Sequence, residues 1–238
     1  MIKKILPKIA FIRQLVGYNL KIIFANKFLY FLVASFSIFI LISVINLFDP
    51  DWYPNEGTVY YVMLFPGLLL IFYPTAFGIQ NDVDTRMIEM LFGIPNYRYK
   101  VWFVRLAIIY LMVLVMLIFL SMLSALVLYP VSVFTMSVQL MFPIFFLGAL
   151  TFMFSTVVRN GNGTAALMVI IGLIFWISSG IFDESKWNIF LNPFDMPDNL
   201  SYMIWFEMLL YNRIYLLIGT VLAILGGLLK LQTREKFI

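Results

Sequence analysis

The sequence predicts an all-α fold: a polytopic membrane protein with six transmembrane helices in a single transmembrane domain, residues 1–238. Hydrophobic residues make up 63% of the chain and charged residues only 12%, with a mean hydropathy of +0.98, which is far from the balance of a soluble domain. Uncharged runs of about 20 residues recur, and at about 1.5 Å per residue each can cross roughly 30 Å of hydrocarbon. The predicted spans cover residues 28–48, 58–78, 106–128, 140–158, 164–182 and 214–231.

Basic residues fall almost entirely on one side of this arrangement. Only Lys186 and Arg213 lie in the loops of the opposite side, so 14 of the 16 Lys and Arg residues share a side with the N-terminus. Because cytoplasmic loops are enriched in Lys and Arg, both termini are predicted to be cytoplasmic. We expect the chain in the cytoplasmic (inner) membrane of a bacterium, as a multi-pass protein surrounded by the lipid bilayer.

Several function classes are disfavoured by composition. The chain has no cysteine and no histidine, which removes thiolate sites and the commonest metal ligand, so we expect no catalytic residue, metal or cofactor in this chain. None of its 13 glycines is followed by lysine, which excludes a P-loop. The basic residues flank apolar spans and do not form one solvated face, so nucleic acid is not expected as a partner.

Residues 1–27 precede the first span and contain six basic and no acidic residues. Apolar residues recur there at three- and four-residue spacings while Arg13 and Lys21 lie on another face, which predicts a cytoplasmic amphipathic helix. Simple anchoring to the inner interface and docking of a partner are equally compatible with this helix.

Residues 81–100 form a compact polar segment between the second and third spans. Asn81 or Asp82 is a suitable helix cap, Asp84 suits the first turn, and Gly93 with Pro95 ends the helix. This predicts a short cytoplasmic helix with Met87, Met90 and Leu91 on its apolar side. Such a helix can insert into a groove of a soluble partner, or it can serve only as an interfacial elbow.

This segment resembles the corresponding stretch of the ABC-2 type of ATP-binding-cassette exporter permeases, E-x-E-x-G-T-x-E-x-L-x-x-x-P followed by a basic residue. The Gly-Thr pair of that pattern is replaced here by Arg86 and Met87. The resemblance implies a coupling helix that docks an ATPase, formed by Asp82, Asp84, Met87, Glu89, Met90, Leu91 and Pro95, with Arg105 at the basic position.

The resemblance extends to the order of the other elements. It implies that residues 1–27 are the connecting helix and that residues 183–213 form an external re-entrant or interfacial segment before span six. It also implies a dimer with a second copy or a paralogue, driven by separate nucleotide-binding subunits that bind ATP and Mg. This chain would then be a non-catalytic exporter subunit.

The cargo pathway is less distinct in the sequence. The six predicted spans contain almost no ionisable residues, which favours a hydrophobic or amphipathic cargo over ion-coupled transport. Candidate lining residues are Phe36, Phe39, Asn46, Phe65 and Phe72, although aromatic residues in spans more often face lipid or pack against helices. An ATP-independent carrier or channel and a membrane scaffold that recruits soluble partners remain the alternative functions.

Overall fold

A computed structural model describes residues 28–49, 53–84, 98–182 and 184–231, and within these residues the chain is helical without a β-strand. Six of the described helices are long and apolar enough to cross a membrane, which confirms the predicted all-α class and a multi-pass membrane protein. A π-helical turn, Arg98–Phe103, leads into the third helix. The helices are α1 Phe28–Leu47, α2 Glu56–Asp84, α3 Val104–Val127, α4 Val133–Val158, α5 Gly161–Ile181 and α6 Tyr202–Lys230.

Helices α2 and α4 form the centre of the bundle. Helix α4 contacts α2, α3, α5 and α6, whereas α1 packs mainly on α2. Helices α1 and α5 are mostly exposed and apolar, as expected for surfaces that face lipid or another chain. We name the two ends of the bundle by their buried charges. The Asp82 end holds the end of α2, the start of α3 and the α4–α5 turn; the Arg213 end holds residues 184–201 and the start of α2.

Glycines allow the central helices to approach closely. A Cβ at Gly148 would lie 2.4 Å from Cδ1 of Ile71, and one at Gly67 would lie 2.5 Å from Cδ1 of Ile144, so α2 and α4 interlock through glycine and isoleucine. In α6, a Cβ at Gly227 would lie 2.6 Å from Phe152 of α4. Without a hydrophobic driving force inside a bilayer, such close van der Waals packing is a main source of helix association.

Helix α2 departs from the prediction at both ends. It begins at Glu56, because Asn55 caps it: the Asn55 side chain accepts from the Thr58 N–H at 2.7 Å, and Thr58 accepts from the Asn55 N–H at 2.9 Å. It then continues to Asp84, well beyond the predicted end at residue 78. Asn81 and Asp82 therefore lie within its last turns, and the prediction that one of them caps a separate helix is wrong.

Helix α6 also begins earlier than predicted. It runs without interruption from Tyr202 to Lys230, so residues 202–213 of the predicted external segment belong to this helix. Residues 184–201 precede it as a series of turns without regular helix. Helix α4 likewise starts at Val133, seven residues before the predicted span. The predicted connecting helix 1–27, with Arg13 and Lys21, lies outside the described residues, as do residues 85–97.

Candidate functional site: the Asp82 end

A buried ion pair joins α2 to α3 at the Asp82 end. Nη1 of Arg105 donates to Oδ2 of Asp82 at 2.6 Å, and the two side chains are only 5% and 3% exposed. Asp82 stands in the last turn of α2 and Arg105 in the first turn of α3, so the pair spans the junction between these helices. Removing one partner of such a pair would leave an uncompensated buried charge.

Trp102 extends this contact toward α4 and α6. The Arg105 guanidinium lies 4.6 Å from the centroid of the Trp102 ring, a cation–π arrangement. The centroid of the same ring lies 5.8 Å from the ring centroid of Phe152 in α4, and Phe152 contacts α6 at Gly227. Trp102 belongs to the π-helical turn, a distortion that often marks functional positions in helices. We call Asp82, Trp102 and Arg105 the clamp.

A second contact ties the same end of α2 to α5. The Gly161 N–H, at the start of α5, donates to Oε1 of Gln80 at 2.5 Å. A Cβ at Gly161 would lie 2.3 Å from Cδ1 of Phe77, so a larger residue would push α5 away from α2. Asn160 caps α5 by accepting from the Gly163 N–H at 3.1 Å. Gln80 and Asp82 thus hold the end of α2 against two neighbouring helices.

The residues predicted for ATPase docking are only partly described. Asp82 and Arg105 are brought into direct contact, and Asp84 is exposed two residues after Asp82. The remaining predicted docking residues lie outside the described part of the chain: Met87, Glu89, Met90, Leu91 and Pro95. Their segment is nevertheless bounded by the clamp, because Asp82 precedes it and Trp102 and Arg105 follow it in sequence.

The candidate pathway residues occupy different environments. Phe39 is buried in the core, and Phe36 and Phe72 are partly buried against it. Asn46 is half-buried, and Phe65 is 56% exposed on the outer surface of α2. Phe36, Phe39 and Phe72 therefore pack between helices, whereas Phe65 lies where it would face lipid or another subunit. Pathway lining stays a prediction for all five.

Sequence reasoning missed a buried polar cluster around Arg213 in α6. Arg213 is 8% exposed and donates to Oε1 of Gln139 at 2.9 Å, to Oδ1 of Asn212 at 2.9 Å and to the Leu191 carbonyl at 3.3 Å. Asn212 in turn donates to the Asn188 carbonyl at 2.7 Å. The cluster fastens residues 184–201 onto α4 and α6. Its sequence signal was a charged residue within an apolar helical run, which the search for uncharged spans treated as a boundary.

Comparison of this sequence with known proteins finds no significant match. The sequence matches no protein-family model, and no curated protein or solved structure is significantly similar to it. A function can therefore be inferred only from the residues and their geometry.

Proposed function

We propose that this chain is the transmembrane permease subunit of an ATP-driven exporter, in which a separate ATPase acts on the segment between α2 and α3. The observation that carries the proposal is the attachment of the end of α2 to α3 and α5 through Asp82–Arg105 and Gln80–Gly161. In this proposal a displacement of the intervening segment is passed to these helices because the two contacts, the first of them buried, resist their separation. The ATPase would then act at the Asp82 end, which is the end predicted to face the cytoplasm.

The energy source belongs to another chain in this proposal. The sequence has no P-loop, and the described residues hold no cluster of metal-ligating side chains. ATP and Mg would be bound by the partner ATPase, and its different affinity for the two conformations of the permease would bias their equilibrium. The exposed apolar faces of α1 and α5 leave room for a second permease copy or a paralogue.

The cargo in this proposal is hydrophobic or amphipathic. The buried side chains of the described helices are mainly apolar and aromatic. The buried charged residues Asp82, Arg105 and Arg213 lie toward the two ends of the bundle. Such a pathway does not provide the series of carboxylates on which coupled ion carriers rely.

The test is purification of the chain from its native membrane with any bound ATPase, followed by measurement of docking affinity in lipid nanodiscs. Glu89→Ala and Leu91→Ala are expected to weaken docking about tenfold or more, because each removes a predicted contact. Glu207→Ala, an exposed carboxylate of α6, is the matched control and should leave docking unchanged. Undiminished docking of both variants would contradict the coupling-segment assignment.

One observation favours an ATP-independent carrier as the second candidate. Arg213 is a buried cation within α6, a helix that is long and apolar enough to cross a membrane, and its hydrogen-bond acceptors include amide and carbonyl oxygens. Intramembrane charges of this kind often mark substrate pathways. Transport by the purified chain in vesicles without any ATPase, abolished by Arg213→Gln, would establish this second function and displace the first.

A further inference from the structure

A small open cleft lies at the Arg213 end, between the turns of residues 184–201, the start of α2 and the start of α6. Its volume is about 210 Å³. The side chains that matter for its chemistry are Tyr61, Glu184, Asp195 and Trp205, with Asn192 at its wall. This cleft is separate from the clamp, which lies at the other end of the bundle.

The wall of the cleft is held in place by hydrogen bonds. Asn192 is buried, donates to the Gly57 carbonyl at 3.0 Å and accepts from the Phe194 N–H at 3.1 Å. A Cβ at Gly57 would lie 3.3 Å from Cβ of Asp195, so the turn that carries this carboxylate packs closely on α2. The position of Asp195 is therefore set by the fold.

The described residues that line the cleft include two charged ones, and both are acidic. Among the described residues, Glu184 accepts one hydrogen bond, from Asn199 Nδ2 at 3.0 Å through Oε2, and none of them bonds its Oε1. Two basic side chains at this end make contacts elsewhere: Arg213 bonds Gln139, Asn212 and the Leu191 carbonyl, and Lys186 lies over the rings of Trp187 and Tyr211. The cleft therefore presents negative charge.

Aromatic side chains and an unused donor complete the site. Trp205 is 4% exposed, and within the described part of the chain its indole N–H makes no hydrogen bond, although the nitrogen atom is not itself sealed from solvent. Tyr61 adds a second aromatic ring to the lining. Aromatic faces and carboxylates together attract ammonium groups, and an accessible N–H in the cleft can donate to an acceptor on the ligand.

We propose that this cleft binds an organic ammonium group that carries an oxygen acceptor, as in ethanolamine or choline. The carboxylates of Glu184 and Asp195 attract the cation, the rings of Tyr61 and Trp205 contact it, and the indole N–H donates to the ligand oxygen. The same head group occurs in free amines and in zwitterionic phospholipids. The proposal does not depend on the ATPase partner.

Binding is tested with the full chain in a neutral maltoside micelle by isothermal titration. Choline should bind saturably and lose affinity as salt is added, whereas its uncharged isostere 3,3-dimethylbutan-1-ol should not bind. The double variant Glu184→Gln/Asp195→Asn should bind choline about tenfold more weakly or worse. Asp198→Asn, an exposed carboxylate of the same segment outside the cleft lining, is the control and should bind like the wild type.

A second arm separates the two sources of the head group. Tighter binding of a short-chain phosphatidylcholine than of choline assigns the cleft to lipid head groups, and equal binding assigns it to free amines. Equal binding of the uncharged isostere, unaltered choline binding by the double variant, or absence of saturable choline binding would each overturn the proposal. Because the three substituted carboxylates are exposed, the thermal unfolding midpoint should stay at its wild-type value and exclude misfolding.

Discussion

At the scale of single residues, Asp82 and Arg105 show how a charged pair is accommodated at the end of a transmembrane bundle. Each side chain alone would be costly to bury, and their mutual contact at 2.6 Å with the Trp102 ring over the guanidinium offsets that cost. The pair therefore specifies the separation of the α2 and α3 ends more than it adds net stability. Sequence motif comparison selected both residues but could not show that they touch.

We expect Asp82→Asn or Arg105→Gln alone to lower the free energy of unfolding by about 3–5 kcal/mol, because each leaves one buried charge without its partner. The double variant should recover a large part of this loss. The measurement is a double-mutant cycle of reversible unfolding in mixed micelles. Simple additivity of the two single effects would show that the side chains do not interact.

Arg213 makes a different prediction, because its guanidinium serves three acceptors in a fixed geometry. Arg213→Lys keeps the positive charge but loses the planar guanidinium with its several N–H donors. It should lower the unfolding free energy by about 1–3 kcal/mol. The measurement is thermal or denaturant unfolding in the same micelles. Lys186→Arg, a cation at the same end that contacts aromatic rings, is the control. Equal stability of the Arg213→Lys variant would contradict the described hydrogen bonds.

At the scale of elements, hydrophobic length predicted the helices, whereas side-chain contacts set their ends. Asp82 could remain helical because Arg105 neutralises it, and α6 could begin at Tyr202 because Arg213 is satisfied by groups distant in sequence. If each span is assumed to end at a charged residue, both the end of α2 and the start of α6 are placed wrongly. Small residues of α6 allow close contacts with α4, since Gly219 and Gly227 face Phe146 and Phe152.

The α2–α4 crossing provides a test with a control inside the same chain. Gly148→Val should destabilise the bundle by about 1–3 kcal/mol, because a Cβ there would lie 2.4 Å from Ile71. Gly172→Val in α5 should have little effect, since no atom lies within 4 Å of the added Cβ. Thermal unfolding of both variants in micelles is the measurement. Equal losses would show that α2 and α4 do not cross as described.

At the scale of the whole molecule, the predicted orientation depends on the distribution of basic residues alone. The natural sequence has no cysteine, so single cysteines report sidedness without a background. An impermeant maleimide should label Asp198→Cys in intact cells and Asn162→Cys only after permeabilisation, because these exposed positions lie at opposite ends. The reverse pattern would place the clamp outside and remove the basis for cytoplasmic ATPase docking.

The central claim is that the clamp passes movement from the docked ATPase into the helices. The direct measurement is ATP hydrolysis by the copurified ATPase in nanodiscs containing either the wild-type chain or Asp82→Asn/Arg105→Gln, at equal docking. We predict that the wild-type chain changes the hydrolysis rate several-fold and that the double variant, compared at equal docking, loses most of this effect. Normal docking with unaltered regulation of hydrolysis by the double variant would contradict the claim.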